Sequence, residues 1–116
     1  MTTTPFEQLA QLDRLVHDPT RLAILTGLSV CERADFLFLQ RITGLTKGNL
    51  SSHLSKLEAA GLIEIEKRFV DKKTQTLARL TGRGREAIDG YWQAMESVRQ
   101  TAALWRPGKL IPAPST

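Results

Sequence analysis

Between Leu57 and Leu80 the hydrophobic period of this chain changes from that of a helix to that of a strand, and that change restricts the fold more than any other feature. Upstream, Leu50, Leu54 and Leu57 recur at i, i+4 and i+7, so one helical face is core. Across Leu62 to Phe69 the spacing drops to two. Ile63, Ile65 and Phe69 point one way, and Glu64, Glu66 and Arg68 the other. Val70-Asp71-Lys72-Lys73-Thr74 reads as a polar, basic loop, and Gln75 to Leu80 as a second strand with Ala78 and Leu80 inward. The expectation is one hairpin with a basic tip in an otherwise helical chain.

The helices announce their starts. Thr4 can cap a first helix with Pro5 at its first position and Glu7 closing a capping box; Phe6, Leu9, Leu12 and Val16 form its apolar stripe over 5–17. Asp18-Pro19 opens a second, largely buried helix reaching about Val30. After a connection from Cys31 to Ala34, Asp35 starts a third, ended by Gly44, with Phe36, Leu39 and Ile42 inward. Leu37 and Phe38 are then surplus apolar residues, so either neighbours sandwich this helix or Phe38 is partly exposed. Leu45 should plug the corner before Thr46 caps a fourth helix, which ends at Ala60-Gly61. Thr81 caps the last helix, 82–105, where Ile88, Tyr91, Met95, Val98, Ala102 and Trp105 make a heptad-like seam. Gly90 inside it costs roughly 1 kcal/mol relative to Ala unless it marks a close approach. Residues 107–116, with Pro112 and Pro114, read as a flexible tail behind a single domain over 1–106.

The net charge of +4 over 116 residues is too small to name a partner. Its distribution is more informative: residues 44–85 hold nine basic against four acidic residues, net +5, while 1–43 are net −1 and 86–116 are neutral. A solvated basic face explains a charge run by itself. The lone Cys31 fits a reducing compartment, the first residues lack the features of a signal peptide, and no apolar run is long enough to span a bilayer, so a cytoplasmic location is expected.

Helix, helix, helix, tight turn, helix, basic hairpin, long helix is the order of a helix-turn-helix followed by a wing. The second helix of such a pair enters the major groove by its N-terminal half. That directs Thr46, Lys47, Gly48, Asn49, Ser51, Ser52 and Lys56 toward duplex DNA, with Lys67, Arg68, Lys72 and Lys73 on the hairpin. Small side chains allow close approach, Asn49 has the donor and acceptor pair that adenine matches, and the hydroxyls and lysines suit phosphate oxygens. His53, about 60° from the centre of the core face, could reach phosphate or pack at the core edge. Arg21 is as readily a structural ion pair as a phosphate contact.

Asp18-Pro-Thr-Arg-Leu-Ala-Ile-Leu25, Thr46-Lys-Gly-Asn-Leu-Ser-Ser-His-Leu-Ser-Lys-Leu57, Glu58-Ala-Ala-Gly-Leu-Ile63 and Leu80-Thr-Gly-Arg-Gly84 resemble the winged-helix transcriptional regulators of the MarR and ArsR type. The resemblance spans about residues 12 to 95. It implies a mainly α fold with a small β hairpin, and a homodimeric repressor on an inverted-repeat operator. It also implies dimerisation through the first and last helices, in agreement with their apolar stripes. Its DNA-facing positions carry over onto Thr46 through Lys56, and onto the wing around Arg68 to Lys73.

Competing readings are weaker on the residues. One cysteine and two distant histidines, His17 and His53, do not make a metal site, so Cys31 is expected to be a buried structural thiol and no metal or cofactor is expected. Trp92 and Trp105 could line a pocket for a small-molecule effector between subunits, but aromatics on a seam more often form dimer core. No phosphate-binding loop, nucleophile elbow or metal-binding pair points to an enzyme; Ser51, Ser52 and His53, adjacent on a helix, make no triad. The main rival is a winged-helix protein-interaction module, supported by Leu37, Phe38 and the apolar last helix. RNA binding lacks the stacking aromatics it needs, with only Phe69 near the basic surface.

Overall fold

In each helix of the computed structural model, which describes residues 4–107, a side chain caps the first turn. Helix α1 (Pro5–Ala10) is capped by Thr4, α2 (Pro19–Ser29) by Asp18, α3 (Phe36–Thr43) by Asp35, α4 (Lys47–Ala59) by Thr46 and α5 (Gly82–Leu104) by Thr81. Each cap accepts a hydrogen bond from a first-turn N–H that has no partner inside its helix. Gly44 and Gly61 turn the chain at φ +69° and +78°, the left-handed region glycine enters without cost.

Three strands form one antiparallel sheet in the order β1 (Ala34–Asp35), β3 (Lys73–Leu80), β2 (Ile63–Val70). Strand β1 was not expected; two residues are too short to show a period. It pairs Ala34 with Ala78 and Asp35 with Leu77, which makes β3 the central strand. This explains why Leu77 is buried as well as Ala78, its neighbour on the expected inward face.

The hairpin corrects the loop expected over Val70 to Thr74. The ladder continues to the pair Val70 and Lys73, leaving a two-residue turn of Asp71 and Lys72 with φ +49° and +64°. Two positive φ values are those of a type I′ turn, whose twist matches that of the strands. Backbone pairing thus extends through residues whose polarity suggests a loop. Phe69 was expected inward and is 75% exposed, because this end of the hairpin runs beyond the helices; Ile63, at the base, is buried.

The first helix is also shorter than the expected 5–17. It stops at Ala10, with Gln11 as its C-cap. Downstream, Asp13 Oδ1 accepts from the Leu15 N–H at 2.9 Å, and Arg21 Nε donates to the Leu15 carbonyl at 2.7 Å. These side chains hold the segment in turns, yet Val16 is still 1% exposed. The stripe therefore marked burial correctly at Val16 and misjudged the backbone that delivers it. Phe6 and Leu9 remain exposed, although the Phe6 ring meets Trp105 edge-on at 5.1 Å.

Leu25 and Leu28 of α2, Leu39 of α3, Leu50, Leu54 and Leu57 of α4, and Ile88 and Tyr91 of α5 close around the base of the sheet. Ile42 was expected in this core and is 46% exposed, although its tip reaches α2, with Cδ1 2.9 Å from where a side chain on Gly27 would begin. The surplus residues Leu37 and Phe38 are exposed too, and Leu45 packs against the core as expected. The close approach anticipated at Gly90 falls instead at Gly84, where a Cβ would lie 1.9 Å from the Leu62 carbonyl oxygen. The seam of α5 belongs to the protomer's own core at Ile88 and Tyr91 and packs against it at Met95; beyond, Val98 and Trp105 are half-buried and Ala102 is exposed.

Candidate nucleic-acid interface

Helix α4 rests on the core through three leucines, which leaves its opposite face to solvent. Thr46, Lys47, Gly48, Asn49, Ser51, Ser52 and Lys56 are all exposed there. The Thr46 hydroxyl accepts from the Asn49 N–H at 3.2 Å, so it is already engaged as the cap, while the Asn49 side chain makes no hydrogen bond among the described residues. No Cβ obstacle lies within 4 Å of Gly48. The surface is therefore low, polar and unobstructed at the end of the helix where its N–H groups point outward.

The hairpin stands beside this helix. Lys47, at the start of α4, and Lys73, at the start of β3, line one open groove with Thr74, Gln75 and Thr76. Ser51, Ser55 and Lys67 line the next groove, between α4 and the hairpin. Of the expected positions, Lys47 and Lys73 are thus brought together in one groove, and Ser51 and Lys67 in the next. Thr74, Gln75 and Thr76 belong to the first groove as well; reading Thr74 as loop hid the alternation that places them.

The cations of the positive segment separate into two sets. Arg79 is paired with Glu64 across the strands, and Arg68 reaches Glu66 at 2.9 Å, with Arg33 3.6 Å from the same carboxylate. The Arg68 hydrogen bond, reinforced by its charge, holds Glu66 below the usual carboxylate range. Among the described residues Lys47, Lys56, Lys67, Lys72 and Lys73 make no ion pair; Lys72 occupies the turn itself. Arg68, expected with the wing cations, thus has a carboxylate partner within its own strand; Arg83 and Arg85, in the first turn of α5, also make no ion pair among the described residues, and on the helix and hairpin the charge without an ion pair is carried by lysines.

His53 and Arg21 meet at the edge of this surface. His53 is half-buried, with Nδ1 3.4 Å from Arg21 Nη1. Arg21 also donates to the Leu15 and Arg14 carbonyls and lies 3.8 Å from Asp18, the structural role given as one of its two readings. The Asp18 carboxyl is held below the ordinary aspartate range, first by the Arg21 N–H and also by the Arg21 charge and the Thr20 N–H, against some desolvation. Nothing local in the sequence joins Arg21 to His53; the packing of α2 on α4 does.

The remaining candidates lie apart from this face. Cys31 is half-buried, and no group of three or more potential metal ligands occurs among the described residues. Trp92 packs edge-on against Tyr91 and is 45% exposed. No helix of the described residues is long and apolar enough to cross a membrane.

Comparison with known proteins agrees with this geometry. A family model for a winged helix DNA-binding domain matches residues 20–98. An uncharacterized protein of Methanocaldococcus jannaschii is 40% identical over 70 residues, which cover 60% of this chain and 73% of the relative. The solved transcriptional regulator homologue protein from Pyrococcus horikoshii OT3 superposes with a TM-score of 0.76 at 29% identity, over 81% of this chain and 95% of that one. A MarR-family transcriptional regulator from Silicibacter pomeroyi shares the fold, with a TM-score of 0.62 at 21% identity over 93% of this chain and 69% of that one.

Proposed function

The chain belongs to the winged helix DNA-binding domain family, and from that premise we propose that it is a sequence-specific regulator of transcription that binds duplex DNA as a homodimer. The observation that carries this reading is the continuous surface of α4 and the hairpin, where unpaired lysines and small polar side chains collect. Helix α4 would lie in the major groove, with Asn49 and Ser52 toward base edges and Lys47 and Lys56 toward phosphates. Lys72 and Lys73 would hold the adjacent backbone, and repression by occupancy of the operator is the simplest outcome.

A dimer is supported by shape and by the apolar residues left open. The radius of gyration is 18.6 Å, against about 13 Å for a compact chain near this length. Phe6, Leu9, Trp92 and Leu104 are exposed along α1 and α5. Pairing there would set two copies of α4 about 34 Å apart, on an inverted repeat of roughly 15–20 bp.

Selection of bound duplexes from a random pool tests DNA binding, symmetry and half-site spacing together. The expected result is an enriched inverted repeat whose affinity falls steeply with salt, by a slope about one unit smaller for each of Lys72 and Lys73 replaced by Ala that had contacted phosphate. Binding that is absent, or insensitive to salt, refutes the proposal and favours the protein-interaction alternative. Sedimentation as a monomer at micromolar concentration refutes the dimer alone.

A further inference from the structure

We propose that Arg21 fixes the tautomer of His53, so that the imidazole offers its Nε2–H to a phosphate oxygen of bound DNA. A guanidinium carries only donors and stays protonated, so a hydrogen bond between Arg21 and an imidazole nitrogen makes that nitrogen the acceptor. His53 Nδ1 is the nitrogen 3.4 Å from Arg21 Nη1. The neutral ring then holds its proton on Nε2. The other tautomer would set donor against donor.

Arg21 is held firmly enough to impose that choice. Its side chain is 13% exposed, its Nε donates to the Leu15 carbonyl at 2.7 Å and its Nη2 to the Arg14 carbonyl at 3.4 Å, and the Asp18 carboxylate lies 3.8 Å away. Meanwhile His53 Nε2 makes no hydrogen bond among the described residues, and it is not among their buried atoms lacking a partner, where Thr26 Oγ1 alone appears. It therefore keeps some exposure, one residue beyond Ser52 at the edge of the exposed face of α4. An unpartnered N–H beside a helix face that lies against DNA suits a phosphate oxygen. Arg21 is a positioning residue here: it acts through the ring and need not touch the nucleic acid. This inference rests on the duplex-binding reading above, but its first element, the tautomer, can be measured without DNA.

Long-range proton–nitrogen NMR of the full chain reports the tautomer directly. The wild type is expected to show His53 as the Nε2–H form, Arg21→Lys to retain it, and Arg21→Gln, whose amide can turn either way, to show both forms. Affinity for the selected duplex then tests the contact. His53→Gln sets an amide near the Nε2 position and should bind like the wild type, whereas the shorter His53→Asn should lose about tenfold. Neither change removes a fixed cation, so the salt slope should not move. The wild-type spectrum and the two His53 variants stand without any change at Arg21. An Nδ1–H ring, or equal affinities for the Gln and Asn variants, with normal duplex binding by the wild type, overturns this inference alone. An Nε2–H ring in a protein that shows no salt-dependent duplex binding overturns the functional reading, and the phosphate contact with it.

Discussion

The exposed face of α4 and that of the C-terminal half of α5 treat their polar groups in opposite ways. On α4 the side chains of Lys47, Asn49, Ser51, Ser52 and Lys56 enter no ion pair or side-chain hydrogen bond among the described residues. On α5, Glu96 is matched to Arg99 and Gln100 within the helix, and those bonds hold its carboxyl below the ordinary range, while Trp92 and Leu104 stand in solvent. A helix that leaves hydrogen-bonding capacity unfilled suits a polar, charged partner. One that satisfies its charges internally and leaves apolar area open suits an apolar partner. The same contrast runs through the hairpin, where Glu64 and Glu66 engage arginines and the turn carries Lys72 free of any ion pair.

The largest change that can break this comparison acts at the root of α5. Gly84→Ala would put a methyl group into the Leu62 carbonyl, an obstacle made of backbone rather than a yielding side chain. A loss of about 3 kcal/mol is expected in urea unfolding, at the upper end for overpacking. DNA affinity per folded molecule should change less, because α4 is not touched. Asn49→Ala should act the other way, leaving stability nearly unchanged and removing roughly 1–3 kcal/mol of preference for the selected base over its alternatives in competition binding.

Smaller effects sharpen the contrast. The cap at Asp18 is better satisfied when charged, so its folded pKa lies below the unfolded one. The stability it contributes is complete above the unfolded value, near pH 4, and is lost as the pH falls through the lower folded value. Asp18→Asn keeps the acceptor and removes the titration; urea midpoints below about pH 4 should then vary less with pH than those of the wild type. The smallest effect divides the two properties of one helix. Gly48→Ala meets no obstacle within the chain and should stabilise α4 by about 0.5 kcal/mol. If the helix lies close against DNA, the same methyl should weaken duplex binding; higher stability with undiminished affinity would place Gly48 away from the interface.

Much of the fold was legible because it is written locally. Five caps, two left-handed glycines and the change from helical to strand period each depend on neighbours a few residues apart, and Thr46, Gly61 and Thr81 stand where the pattern puts them. What escaped depends on remote partners. Strand β1 exists because Ala34 meets Ala78, and α1 stops early in a segment that Arg21 braces from α2. The burial of Leu77 needs β3 to be central, which its own alternation cannot reveal. The candidate surface follows the same division: the face of α4 was readable from helical spacing. The commitment of Arg68 to Glu66, and the meeting of Arg21 with His53, required the packed structure.

The caps also bear on the order in which the molecule assembles. A helix whose first turn is fixed by its own Thr or Asp can begin before distant segments arrive, whereas pairing of Ala34 and Asp35 with Ala78 and Leu77 must wait for closure of a long loop that contains α3, α4 and β2. Pulse-labelled hydrogen exchange during refolding should therefore protect amides of α2 and α4 ahead of those in the β1–β3 ladder. Simultaneous protection would mean that helix and sheet form in one step. In the sequential case, α4 would take shape before β1 has fixed the sheet against the helices.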